Sequence, residues 1–265
     1  MLKSKDGLSL YFRRWDVENP KAAICLVHGL GEHCGRYEHV AKFFNEHGFS
    51  FAAFDLRGHG RSEGKRGHAD YDLLMDDIQI FLDNCNYECP KIIYGHSMGG
   101  NLALNFLLRR SSDLTGGIIS APFLALPKDL SKPIYFILKV FNAIAPSFTF
   151  SNGIDPRLIS RDEKVVRNYI NDPLVHNKIS AKFILESLNA GKWALMNADK
   201  LKKPILLIHG NADKITSYEA SKRFAERAGK YCKFVTYDGF YHEPHNETEK
   251  EIVLSDMLRW VEEVI

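Results

Sequence analysis

The sequence predicts an α/β fold, a mainly parallel sheet flanked by helices with a helical insertion before the last strands. Three observations carry that expectation. Short apolar runs alternate with longer amphipathic ones along the first half of the chain. Glycine-rich turns follow several of those runs. Residues 121–203 then pass without a clear strand signal.

Residues 8–15 and 22–27 read as strands, the second running into His28-Gly29-Leu30-Gly31. Residues 36–47 suit a helix, with Tyr37, Val40, Phe43 and Phe44 on one face and Gly48 ending it. Residues 49–54 form the next apolar run and enter the turn-rich Asp55-Leu56-Arg57-Gly58-His59-Gly60. A helix over 71–85, a short buried strand over 91–94 and a helix over 100–110 follow. Two further strands are expected at 116–120 and 204–209, a last one at 234–237, and a closing helix over 252–264. The 265 residues thus divide into a core (1–120 and 204–265) and a cap (121–203) that includes its return to the core.

Composition removes several classes of function. The 35 basic and 33 acidic side chains nearly cancel to +2, with no long run of one sign, so nucleic acid is not an expected partner. The five cysteines are odd in number and scattered, which suits a reducing, cytoplasmic compartment. Cys85 and Cys89 lack a second pair at zinc spacing, so no metal is expected. Residues 133–150 are the most apolar stretch but contain Lys139, Asn142 and Pro146. They read as a helix over a core or at a lipid surface, not as a span of about 20 apolar residues. Nothing in the sequence fixes an oligomeric state.

The chemistry centres on Gly95-His96-Ser97-Met98-Gly99. A Gly-x-Ser-x-Gly run alone is weak, since glycine and serine are common. Here it follows an apolar strand and opens a helix, the setting of a nucleophile elbow. Serine needs an adjacent base, and the base an orienting carboxylate, in the chain order Ser, Asp, His. Asp213 and His242 each follow a predicted strand, at the carboxyl edge where open α/β sheets build their sites. Asp238 and Glu243 are the weaker alternatives for the carboxylate. The developing oxyanion needs backbone donors, for which the N–H groups of Met98 and Leu30 are the candidates. His28 reads as a loop residue and His96 as packed inside the elbow.

With these residues in view, the sequence resembles the monoacylglycerol lipases and related lysophospholipases of the α/β-hydrolase superfamily. The resemblance runs along nearly the whole chain. It is carried by His28-Gly29-Leu30-Gly31-Glu32-His33 with Arg36-Tyr37, by residues 55–64, and by the elbow. Asn171-Asp172-Pro173-Leu174, His209-Gly210-Asn211-Ala212-Asp213 and Tyr241-His242-Glu243-Pro244-His245 complete it. It implies the same triad of Ser97, Asp213 and His242, and the same donors at Leu30 and Met98, although some members carry a smaller residue where Leu30 stands. It also implies that Glu32, Arg36 and His245 surround the glycerol hydroxyls; from residue types alone, Glu32 and Arg36 equally suit a helix-start ion pair. The insertion is then a lid whose Ile134, Phe136, Ile137, Leu138, Phe141 and Ile144 form an acyl tunnel or pack the cap. Lys132 and Lys139 would suit transient contact with an anionic lipid surface.

The activity so implied is cleavage of a fatty acyl ester of glycerol through an acyl-enzyme, with a small lipid-like substrate and no cofactor. A lysophospholipase or a broad carboxylesterase is the nearest rival. A non-catalytic module of this fold would be expected to lack a triad member, and an epoxide hydrolase or dehalogenase would carry Asp at position 97.

Overall fold

The computed structural model describes residues 1–110 and 112–265. A small hairpin, β1 (Leu2–Lys3) and β2 (Ser9–Leu10), precedes β3 (Phe12–Trp15), β4 (Ala23–Val27) and α1 (Glu38–Glu46). Then come β5 (Ser50–Phe54), α2 (Tyr71–Asn84), β6 (Lys91–His96), α3 (Met98–Arg109) and β7 (Gly116–Ser120). The insertion carries α4 (Lys132–Ile144), β8 (Thr149–Ser151), α5 (Glu163–Asn171), β9 (Lys178–Ser180) and α6 (Ala181–Met196). The chain returns through β10 (Ile205–Gly210), α7 (Tyr218–Ala228), β11 (Cys232–Tyr237) and α8 (Lys250–Val264).

Seven strands form one sheet in the order β11-β10-β7-β6-β4-β5-β3. All neighbours run parallel except the edge strand β3, which is antiparallel to β5. This is the mainly parallel, helix-flanked sheet that the alternation of runs predicts. Strands covered on both faces read as continuous apolar runs, and every residue of β4, β5, β7 and β10 is buried. Alternate side chains of β4 supply the two cores. Cys25 and Val27 belong to a core that includes Leu74, Leu102, Phe183 and Phe224 from α2, α3, α6 and α7. Ile24 and Leu26 belong to the core on the other face, with Val40 and Phe44 of α1 and Val253 and Trp260 of α8. Each such side chain contributes roughly 1.5–3 kcal/mol on burial, which fixes the strand register and hence the loops at its carboxyl edge.

Between β7 and β10 lie two strands that no pattern in the sequence signals: β8 and β9 pair antiparallel, Phe150 opposite Ile179. At three residues each, they are too short to display an alternating pattern. Helix α6 packs along α3 as well as under α4. A Cβ on Gly191 would collide with the Leu124 carbonyl, so glycine is what lets the helix approach that segment. Of the large apolar side chains in α4 only Leu138 is buried, and its neighbours face outward. Many bonds tie this region to the core, among them three to the loops after β4 and β5. The His176 N–H donates to the Gly31 carbonyl at 2.8 Å, the Ser180 N–H donates to the Gly67 carbonyl at 2.8 Å, and His33 Nε2 meets Asp172 Oδ2 at 2.8 Å. Among the described residues, no helix is long and apolar enough to cross a membrane.

Candidate active site

Ser97 stands between the last residue of β6 and the first of α3, at φ 54° and ψ −115°. A non-glycine residue seldom holds such a conformation, and it persists only where the surroundings over-determine it. Here the Ser97 N–H donates to the Ser120 carbonyl at 2.9 Å, and the Ser97 carbonyl accepts from Phe123 N–H at 2.9 Å. A Cβ on Gly95 would strike the Gly99 carbonyl, and one on Gly99 would strike the Val27 and His28 carbonyls, so the turn closes only with glycines there.

The loops after β10 and β11 bring Asp213 and His242 to this serine. His242 Nε2 lies 2.9 Å from Ser97 Oγ, and His242 Nδ1 lies 2.8 Å from Asp213 Oδ2. A carboxylate only accepts, so the Nδ1 of His242 carries the proton and Nε2 is bare toward the serine hydroxyl. Burial opposes a charge on His242, but the Asp213 carboxylate overrides it and raises the imidazole above its ordinary value. Burial likewise pushes Asp213 up, while the charge of His242 and bonds from His209 and His242 hold it well below the carboxylate range.

Two cavities meet at Ser97. The larger, about 250 Å³, is lined by Leu126, Leu130, Ile134, Leu138, Phe150 and Ile184 among others, and is mainly apolar. The smaller, about 30 Å³, has Glu32, His96, Tyr169, His242 and Glu243 in its walls. Ser97, Leu30, Ile154 and Ile215 line both. Met98 begins α3, where a helix has no internal acceptor for its N–H. The hydrogen bonds among the described residues leave the Leu30 N–H without an acceptor too.

Residues 18–249 match the family described as serine aminopeptidase S33 (Hydrolase_4). The monoacylglycerol lipase of Mycolicibacterium smegmatis is 32% identical over 96% of this chain and 93% of its own length. The chain belongs to the monoacylglycerol lipase family of α/β-hydrolases. A solved monoacylglycerol lipase from Paleococcus ferrophilus superposes with a TM-score of 0.88 at 34% identity, covering 95% of this chain and 98% of that one. An uncharacterised abhydrolase domain-containing protein of Dictyostelium discoideum is 39% identical over all of this chain, which spans 29% of that protein's length.

In this member of the family the three residues linked by resemblance to the glycerol hydroxyls take different positions. Glu32 lines the small chamber. Arg36 lies one layer behind it, in the wall of an outer polar groove of about 480 Å³, its guanidinium 4.7 Å from the Tyr169 ring centroid. His245 is not brought to either cavity at Ser97. It is fully buried, stacked 4.7 Å from Tyr37, and both its ring nitrogens lack partners. His28 is also internal, with Nδ1 2.8 Å from the Gly29 carbonyl and Nε2 accepting from the Leu56 N–H.

Three further residues have roles that the sequence did not single out. His209 Nε2 reaches Asp213 Oδ2 at 2.9 Å, and the Thr216 hydroxyl donates to the same oxygen at 2.8 Å. Glu243, weighed only as an alternative triad acid, instead grips Arg36 through two bonds of 2.7 Å. His209 lies in the quoted His-Gly-Asn-Ala-Asp run, and its spacing of four from Asp213 was the available signal.

Proposed function

We propose that this protein hydrolyses monoacylglycerols, holding the acyl chain in the apolar cavity and the glycerol in the polar chamber. One observation carries the proposal, the position of Ser97 in the walls of both cavities, so that an ester bond joining an apolar to a polar half would lie on its hydroxyl. Ser97 Oγ attacks the ester carbonyl while His242 takes its proton. The oxyanion rests on the N–H groups of Leu30 and Met98. Collapse breaks the ester bond and His242 returns the proton to the departing glycerol. Water then attacks the acyl-enzyme with His242 again as base, the acyl–Ser97 bond breaks, the fatty acid leaves and His242 gives the proton back to Ser97 Oγ. Asp213 keeps His242 in its working tautomer.

The chamber favours a small neutral head group. A water needs about 10–15 Å³ of such space, and the chamber offers about 30 Å³. Its walls carry two carboxylates, Glu32 and Glu243, while the Arg36 guanidinium that pairs with both lies behind them, which disfavours a phosphate. Glu243 and the remaining acceptor position of Glu32 suit hydroxyl donors. The outward face of α4 supports docking on a lipid surface: Phe136 and Ile144 are 67% and 74% exposed, and Ile134 joins that face to the apolar cavity. The five free cysteines fit a cytoplasmic protein that visits such a surface.

A panel of monooleoylglycerol, lysophosphatidylcholine and 4-nitrophenyl butyrate tests the substrate. The expected result is the highest kcat/KM on monooleoylglycerol, with Ser97→Ala inactive on all three. Preference for lysophosphatidylcholine, or turnover by Ser97→Ala, overturns the proposal.

A further inference from the structure

Glu32 is 2% exposed, and most of its hydrogen-bonding capacity is used inside the protein. Oε1 accepts from the Gly29 N–H at 2.7 Å and from the Tyr37 hydroxyl at 2.8 Å, while Oε2 accepts from Arg36 at 2.6 Å. Three of about four acceptor positions of a carboxylate are therefore occupied. Burial pushes this carboxyl up, but the adjacent Arg36 charge wins and holds it at about 2, so it accepts as an anion.

The bond to Gly29 falls one residue before the Leu30 N–H. A Cβ on Gly29 would lie 2.9 Å from Glu32 Oε1 and 3.2 Å from the Ser97 Cβ, so carboxylate and nucleophile enclose the same peptide. On the far side of Leu30, the Gly31 carbonyl is held by the His176 N–H at 2.8 Å. The segment is thus pinned before and after Leu30, whose own N–H remains free.

We propose that Glu32 is a positioning residue for the oxyanion hole: through Gly29 it fixes the direction of the Leu30 N–H, and the Arg36–Glu243 pair holds Glu32 in place. The role differs from reading the glycerol, because it acts on every ester that passes through a tetrahedral intermediate. It rests on the acyl-transfer chemistry proposed for Ser97. A donor stabilises an oxyanion only when it is aimed beforehand, and deleting one side-chain donor costs about 10²–10³ in kcat. A loosened backbone donor should cost less, roughly 10–100-fold.

The test compares the full chain with Glu32→Gln and Glu32→Ala on 4-nitrophenyl butyrate, which has no glycerol, and on monooleoylglycerol. Glu32→Gln keeps the shape but sets an amide N–H against the Arg36 guanidinium. A trifluoromethyl ketone, which forms a tetrahedral oxyanion adduct with an active serine, gives an independent readout. The expected result is a kcat lower by about 10–100-fold on both esters. KM should change little, and ketone affinity should weaken by a similar factor. An unchanged kcat on 4-nitrophenyl butyrate with a raised KM for monooleoylglycerol overturns the proposal in favour of glycerol recognition. A fall in kcat without loss of ketone affinity overturns it as well. If Glu32→Ala does not fold, the isosteric Glu32→Gln carries the comparison. Inactivity of the unmodified protein on every ester counts against the acyl-transfer proposal itself, whereas an active parent with an equally active Glu32→Gln sinks this inference alone.

Discussion

The imidazoles of His96 and His242 lie with ring centroids 4.8 Å apart, yet their environments drive them in opposite directions. His242 is raised above the ordinary histidine value, against its burial, by Asp213. His96 is lowered to about 3 by burial and by the neighbouring His242 charge. A carboxylate reaches one ring, and no acid reaches the other closely enough to offset its burial. Two neighbouring histidines thereby divide into a base that can accept a proton and a packing residue that stays neutral.

Activity should therefore rise through an acid limb centred above pH 6.5. A raised pKa keeps His242 protonated, and unable to act as a base, to higher pH than a free histidine. Profiles of kcat/KM for 4-nitrophenyl butyrate report this group in the free enzyme. Asp213→Asn should shift the limb downward and lower kcat by several orders of magnitude, roughly 10⁴-fold by analogy with other Ser-His-Asp sites. An acid limb below pH 6.5 in the unmodified protein contradicts the assignment.

Stability should have the opposite kind of histidine dependence. His59, His96 and His245 are buried and lowered, foremost by burial, so below about pH 6.5 the unfolded chain binds protons that the folded one does not. Stability then falls as pH drops from 6.5 toward 3. His242, being raised, contributes in the other sense: its stabilisation is present below about pH 6.5 and is lost as pH rises through its folded value. Three groups outweigh one in the acidic range, and Glu32 adds to them below its unfolded value. Urea midpoints at pH 7, 6 and 5 should decrease in that order. A midpoint that rises on acidification excludes this account.

What the sequence made legible is what local chain geometry determines. Ser97, Asp213 and His242 each follow an apolar strand, and strand ends in a parallel sheet converge on one edge, so order and context point to three residues that lie within hydrogen-bond distance of one another. His209, Thr216 and Glu243 act through contacts between loops that no periodicity records. Glu243 meets Arg36 across 207 positions. His245 sits in a motif shared with the family, but its burial depends on how the loop after β11 folds back on Tyr37 and His96. The paired strands β8 and β9 are likewise tied to the core by a tertiary contact, from the Ser180 N–H to the Gly67 carbonyl, that no local pattern records.

The outward face of α4 yields a prediction about where the substrate is collected. Phe136 and Ile144 line neither cavity at Ser97 and are largely exposed, so replacing both with Ser removes apolar area without emptying the core. At about 25 cal/mol per Å², losing two such side chains should weaken vesicle binding by at least tenfold. The ratio of turnover on vesicle-borne monooleoylglycerol to that on dissolved 4-nitrophenyl butyrate should fall by a similar factor. An unchanged ratio, with unchanged co-sedimentation on phosphatidylcholine–phosphatidylserine vesicles, would falsify surface docking through α4.

Ser97 itself carries a cost that a pair of substitutions can expose. Its φ of 54° is forced by the glycines packed around the turn, and an L-residue there loses roughly 1–2 kcal/mol relative to glycine. Ser97→Ala keeps a Cβ in that conformation and removes the bond to His242. Ser97→Gly removes the same bond and relieves the strain, at a cost of about 0.4–1 kcal/mol in greater freedom of the unfolded chain. The difference leaves Ser97→Gly the more stable of the two inactive variants by about 0.5–1 kcal/mol, or roughly 1–4 °C in Tm for a chain of this size. Thermal melts of the two proteins at one pH measure it directly, because the lost hydrogen bond cancels between them. Should Ser97→Ala melt higher, the turn would not be storing strain at the nucleophile, and the glycines around it would be serving packing alone.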